Sequence, residues 1–128
     1  METYQVAASA KRFECGSPNM LGIHALHTSL KLLLDTGMEE VWAQLAARTA
    51  YLMEGLQAIA DIELLSPTAP ERRSGIVTFR SRTRSVESLY QLLREQNIFC
   101  APRGGGIRLS PHFYTPMAQL EQVLTALA

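Results

Sequence analysis

The chain has 128 residues, 47% of them apolar, which suffices for one ordinary hydrophobic core and excludes a disordered segment. Twelve basic and twelve acidic residues cancel, so no whole-molecule field draws in nucleic acid or an anionic membrane surface. Two cysteines, Cys15 and Cys100, are too few for a disulfide-stapled fold and, with no secretory segment in view, point to the reducing cytoplasm.

Taken in chain order, weak alternation around Tyr4 and Val6 gives residues 1–14 the character of a strand remnant or a tail. Ser17 and Pro18 then predict a helix start, the serine as N-cap and the proline at the first helical position. From Met20 to Leu34 the leucines cover more than one stripe, so this helix needs partners on more than one side. His24, His27 and Lys31 interrupt it, and it is too short to cross a bilayer. Gly37 ends it. A second helix follows from Glu39 to about Ile59, its predicted inner stripe Trp42, Leu45, Thr49, Leu52, Leu56 and Ile59, with Glu40, Gln44, Arg48 and Glu54 facing water. The two are expected to form an antiparallel pair.

The second half changes texture. Ile62–Leu65 and Ile76–Arg80 read as strands on either side of a proline-containing charged loop. Ser85 caps a helix that ends near Asn97, Ile98–Ala101 is a third strand, and Gly106–Ser110 a fourth. Thr115 as N-cap with Pro116 as first residue opens the last helix, which runs to Leu127. The order β-β-α-β-β-α after a helical pair predicts a single α/β domain, a two-layer sandwich with a small mixed or antiparallel sheet and helices on one face. In the fourth strand Ile107 and Leu109 face the core, while Arg108 stands on the other face, its planar fork suited to a carboxylate or phosphate.

Other constellations carry less. His24 and His27 share a helical face, but no further ligand arrives at zinc-like spacing, and no metal site is expected. Ser110 and His112 lack an orienting acid and an oxyanion hole. The arginines at 72, 73, 80, 82 and 84 lack the interleaved aromatics on which single strands stack. Gly104–Gly106 has neither the lysine of a P-loop nor the following helix of a dinucleotide fingerprint, and Cys100 is most simply packing.

Two motifs carry a resemblance. RFECGSPN, Arg12 to Asn19, and IRLSPHFYT, Ile107 to Thr115, are similar to two segments of the class V aminotransferase-like family, the pyridoxal-phosphate fold type I group that includes cysteine desulfurases. The intervening helix pair, GIVTFR and LLREQNIFCAPR fall in the family's order, so the resemblance covers the whole chain and is to the family's C-terminal small domain. It implies that Arg108 binds the α-carboxylate of an amino-acid substrate. It also implies that Ser17 and the helix start after it reach the cofactor phosphate of a neighbouring subunit in a homodimer, that Asn19 fixes that loop, and that His112 and Tyr114 support the arginine strand and the turn after it. Thr115 stands where the family has asparagine. The desulfurases' reactive cysteine, carried on a longer loop before the arginine strand, has no counterpart here, which disfavours that activity within the family.

The family's chemistry requires a lysine to hold pyridoxal phosphate and an acid at its ring nitrogen. Only Lys11 and Lys31 are present, so the chain is expected to be the C-terminal part of such an enzyme without its large cofactor-binding domain, inactive and binding no cofactor alone. A stand-alone amino-acid sensor and a structural or interaction module are the alternatives.

Overall fold

A computed structural model describes residues 5–14 and 16–128; the Tyr4 end of the predicted N-terminal strand lies outside them. The chain forms two compact units, one ending at Thr36 and the other running from Gly37 to Ala128. The N-terminal unit holds a 3₁₀ turn at Ala10–Phe13 and helix α1, Met20–Thr36. Val6 lies in irregular backbone, in neither. No residue of α1 is buried, and Leu21, Leu26 and Leu30 are all exposed.

The second unit is the sandwich. Helix α2 spans Met38–Ala58, strand β1 Ile62–Leu64, β2 Val77–Ser81, helix α3 Val86–Glu95, β3 Ala101–Arg103, β4 Gly106–Leu109 and helix α4 Met117–Leu127. The sheet is antiparallel throughout, in the order β1-β2-β4-β3. Strand alternation sends Ile62, Val77, Phe79, Ile107 and Leu109 into one core with Leu52, Met53 and Leu56 of α2, Leu89 and Leu93 of α3 and Val123 of α4. Burying each such side chain contributes about 1.5–3 kcal/mol, so this one layer accounts for most of the unit's cohesion.

Three sequence expectations shift. The inner stripe of α2 is Val41, Thr49, Leu52, Met53 and Leu56; Trp42, roughly a quarter-turn away from Val41, is half exposed. The third strand begins later than Ile98 because α3 closes with a Schellman turn: Asn97 takes φ 58°, its N–H bonds Arg94 O, and Ile98 N–H bonds Leu93 O at 2.9 Å. That turn spends Ile98 on a buried contact with the helix end and leaves Ala101–Arg103 to pair. The last helix starts one residue after Pro116, which itself occupies the N-cap position in extended conformation.

Strands β3 and β4 are joined by Gly104 and Gly105 alone, both at positive φ (57° and 79°), the two-residue turn whose twist matches that of the strands. Pro102 is tolerated because β3 is the sheet edge.

Candidate functional site

The face of the sheet away from the helices carries Arg108, and His112 and Tyr114 follow in the turn after its strand. In the ladder Arg108 stands opposite Thr78 of β2 and Ala101 of β3, two short side chains, and is itself half-buried. Along β4 the next position on that face is Gly106, where a Cβ would stand 2.3 Å from the carbonyl oxygen of Phe79. Only glycine fits there. Opposite Gly106 on β3 is Arg103, and Arg80 stands on the same face of β2. Arg80 is committed to Glu63 through Nε and Nη2 at 3.0–3.1 Å, and Arg82 approaches the same carboxylate at 3.8 Å. Among the described residues neither Arg103 nor Arg108 has a carboxylate partner.

Beyond β4 the chain turns through Ser110–Thr115. Here the expectation for Thr115 is corrected: its hydroxyl does not cap α4 but accepts the N–H of His112 at 2.8 Å, while Thr115 N–H bonds His112 O at 3.0 Å. These reciprocal bonds close the turn, and proline takes over the cap position. Within it the rings of His112 and Tyr114 stack at 4.1 Å between centroids, with Phe113 edge-on to Tyr114. Neither His112 nor Tyr114 is hydrogen-bonded to Arg108; what they stiffen is the turn after the arginine strand. The sequence reading missed Arg48. It lies part-buried on α2, donates from Nε to Thr115 O at 2.7 Å and from Nη1 to Gln44 O at 3.0 Å, and so ties the turn to the helix layer. Its spacing opposite the apolar stripe makes it look like any solvated arginine.

In the N-terminal unit Asn19, not Ser17, caps α1: its carbonyl accepts Ile23 N–H and its Oδ1 accepts Gly22 N–H at 3.0 Å. Asn19 takes the role because Pro18 stands outside the helix, with Met20 N–H on its carbonyl. Ser17 is exposed two residues upstream. Lys31 is exposed and paired with Asp35 at 2.6 Å, and Lys11 lies exposed in the 3₁₀ turn, its backbone N–H held by Ser9. A cofactor that must be seated covalently on a lysine finds neither in a cavity, so the described residues do not fit pyridoxal phosphate as a whole.

A cleft of about 300 Å³ opens beyond the end of β4, between Ile98–Phe99 and α4, with Leu52, Leu109 and Leu120 at its apolar walls and Ser110, Thr115 and Gln119 at its rim. It does not include Arg108, whose face is open. Cys100 precedes β3, and burial pushes its thiol up against a smaller opposing pull from Arg94, so it stays protonated where a sulfur nucleophile is needed as thiolate. Among the described residues no three His, Cys, Asp or Glu side chains gather in a metal-binding group, and no helix is long and apolar enough to cross a membrane.

An antiparallel four-stranded sheet backed by three helices is a structure this chain shares with pyridoxal-phosphate enzymes of fold type I. A cysteine desulfurase from Thermococcus onnurineus NA1 superposes on 95% of the chain with a TM-score of 0.85 at 20% identity. The cystine C-S lyase C-DES, in a mutant with glycine covalently linked to the PLP cofactor, superposes on 94% with a TM-score of 0.82 at 26% identity. The sequence profile of the family described as aminotransferase class-V matches residues 1–123, and the chain belongs to that family. An uncharacterised aminotransferase of Bacillus subtilis, YcbU, is 29% identical over 95% of the chain, and a probable cysteine desulfurase of Streptomyces coelicolor 26% identical over 77%. The chain spans about a third of the aminotransferase (32%) and of the desulfurase structure (34%), and 23% of the Streptomyces protein.

Proposed function

We propose that this chain is the substrate-binding small domain of a class V pyridoxal-phosphate enzyme, in which Arg108 holds the α-carboxylate of an amino acid. The observation that carries the reading is Arg108 itself, half-buried on a central strand between Thr78 and Ala101 and without a carboxylate partner among the described residues. A planar fork in that setting takes a carboxylate through two parallel hydrogen bonds. His112, Tyr114 and Arg48 act one step behind it, fixing the turn that follows the strand.

In this reading the lysine that holds pyridoxal phosphate covalently is neither Lys11 nor Lys31, and the reaction proceeds only when such a lysine is supplied. Ser17 contributes a hydroxyl to the cofactor phosphate of a second subunit, with Asn19 holding the helix start beside it; the exposure of Ser17 and the Asn19 cap support this. Aminotransfer or a related amino-acid reaction is favoured over desulfuration, because the turn before the arginine strand carries two glycines and no cysteine, and the Cys100 thiol stays protonated.

The test is Arg108→Lys in the whole protein. A point charge replaces the fork, so binding of carboxylate-bearing substrates weakens by about 1.5–3 kcal/mol, the worth of a hydrogen bond to a charged group. Thermal stability stays within error, since the position is half-buried and unpaired. Unchanged affinity with lowered stability marks Arg108 as structural and overturns the reading.

A further inference from the structure

We infer that the free face of the sheet holds a second anion seat, Arg103, so that the substrate carried by Arg108 is an amino acid with a second carboxylate or a phosphate on its side chain. The inference rests on the carboxylate reading of Arg108.

The ladder supplies the geometry. Ala101 faces Arg108 and Arg103 faces Gly106, so the two arginines are diagonal neighbours on adjacent strands and on one face. Such diagonals hold Cβ atoms about 7–8 Å apart, within reach of two long side chains acting on one small molecule. The ground between them carries no opposing charge: Gly106 is buried with Leu65 against it. Gly106 has no side chain and is barred from having one by the Phe79 carbonyl, Ala101 offers a methyl group, and the side chain nearest Gly106 is the apolar Leu65.

Charge accounting on the same face singles out these two residues. The carboxylate there, Glu63, accepts from Nε and Nη2 of Arg80 and is approached by Arg82. Arg103 and Arg108 are left without a carboxylate among the described residues. One α-carboxylate is satisfied by one bidentate guanidinium; a second uncompensated guanidinium one diagonal away favours a ligand with two anionic groups and disfavours a ligand with one. Arg103 also sits at the edge of the sheet beside the Gly104–Gly105 turn, exposed and able to reach a ligand without displacing core side chains.

The experiment is titration of this chain at low ionic strength, following arginine Nε–Hε signals by NMR, with acetate, succinate and O-phosphoserine as probes. Acetate shifts Arg108 alone. Succinate or phosphoserine shifts Arg103 and Arg108 together and binds at least tenfold more tightly than acetate, the tighter of the two naming the second group. Arg103→Ala reduces the dianion to the acetate level while leaving acetate binding unchanged; Arg84→Ala, which removes the same charge elsewhere on the surface, leaves the preference intact. Equal affinity for mono- and dianions, or a preference that survives Arg103→Ala, overturns the inference while leaving Arg108 as a carboxylate seat. No response of Arg108 to acetate overturns the carboxylate reading, and this inference with it.

Discussion

Asp61, ahead of β1, organises the end of the sheet with one carboxylate. It accepts from the Ser81 hydroxyl and from Thr83 N–H at 3.1 Å, its carbonyl takes Arg82 N–H at 2.7 Å, and Ser81 in turn receives the N–H groups of Thr83 and Arg84. The Ser81 bond, followed by those from residues 82 and 83, outweighs the opposing desolvation and holds the Asp61 carboxyl below its ordinary 3.8. A carboxyl depressed in the folded state contributes stability that is present above its unfolded value and is lost as pH falls through the folded one. Urea midpoints of the natural chain are therefore expected to decline from about pH 4 downward, and Asp61→Asn to flatten that decline; an unchanged acid limb in the variant places the sensitivity elsewhere. At this scale the sequence reads unevenly. Arg108 was legible because alternation alone assigns its face. The helix caps were misplaced by two residues at Ser17 and one at Thr115, since proline-adjacent hydroxyls look like caps whether or not the helix has yet begun. Arg48 was invisible, because a contact 67 residues away leaves no trace in local spacing.

Helices and strands were mostly legible, and their errors share a cause. Strong periodicity placed α2, α3 and the central strands β2 and β4 within a few residues. The third strand slipped because Ile98, Phe99 and Cys100 have strand composition, yet the Schellman turn claims Ile98 for the helix end, a tertiary preference overriding a local one. Trp42 was assigned inward by its three-and-four spacing from Leu45 and Thr49; Thr49, Leu52 and Leu56 of that stripe are buried, but at the start of the helix the buried residue is Val41. The contact between α2 and α4 hides a further constraint. A Cβ on Gly55 would stand 2.3, 2.7 and 3.0 Å from the branched end of Leu124, so an added methyl meets that side chain first. Gly55→Ala gains helix propensity of about 1 kcal/mol but meets that whole side chain. Overpacking of this kind costs about 1–3 kcal/mol, so the net expected outcome is a loss. Leu124→Ala made together with Gly55→Ala should recover part of it, and a double-mutant cycle in urea reads the coupling directly. Additive losses would show that the two positions do not constrain each other.

For the whole molecule the open question of the sequence, an overly apolar first helix, has a structural form. Leu26 at 60%, Leu30 at 48% and Leu34 at 71% exposure share one stripe of α1, and Leu21 at 83% stands on another side of it, an apolar surface that a solitary protein rarely carries. Self-association through α1, most simply as a symmetric pair, is the expected behaviour of the chain in solution, and added salt should weaken it little because the contact is apolar. Sedimentation velocity across a wide concentration series checks this; a monomer at the highest concentration removes it. The two-glycine turn between β3 and β4 works at the same scale. Both glycines are exposed with nothing within 4 Å of a notional Cβ, and they stand at the mouth of the strand that presents Arg108. Inserting six residues there lengthens the loop fourfold, a closure cost of about 1.2 kcal/mol at about 0.6 per doubling, added to whatever the tight turn itself contributed. The register of β4 is held independently by β2, so the arginine stays in place while the loop grows. The turn is thus a graft point. A longer loop spliced at Gly104 would bring a new side chain, a thiol among them, to the edge of the face that carries Arg108 without redesign of the strand beneath.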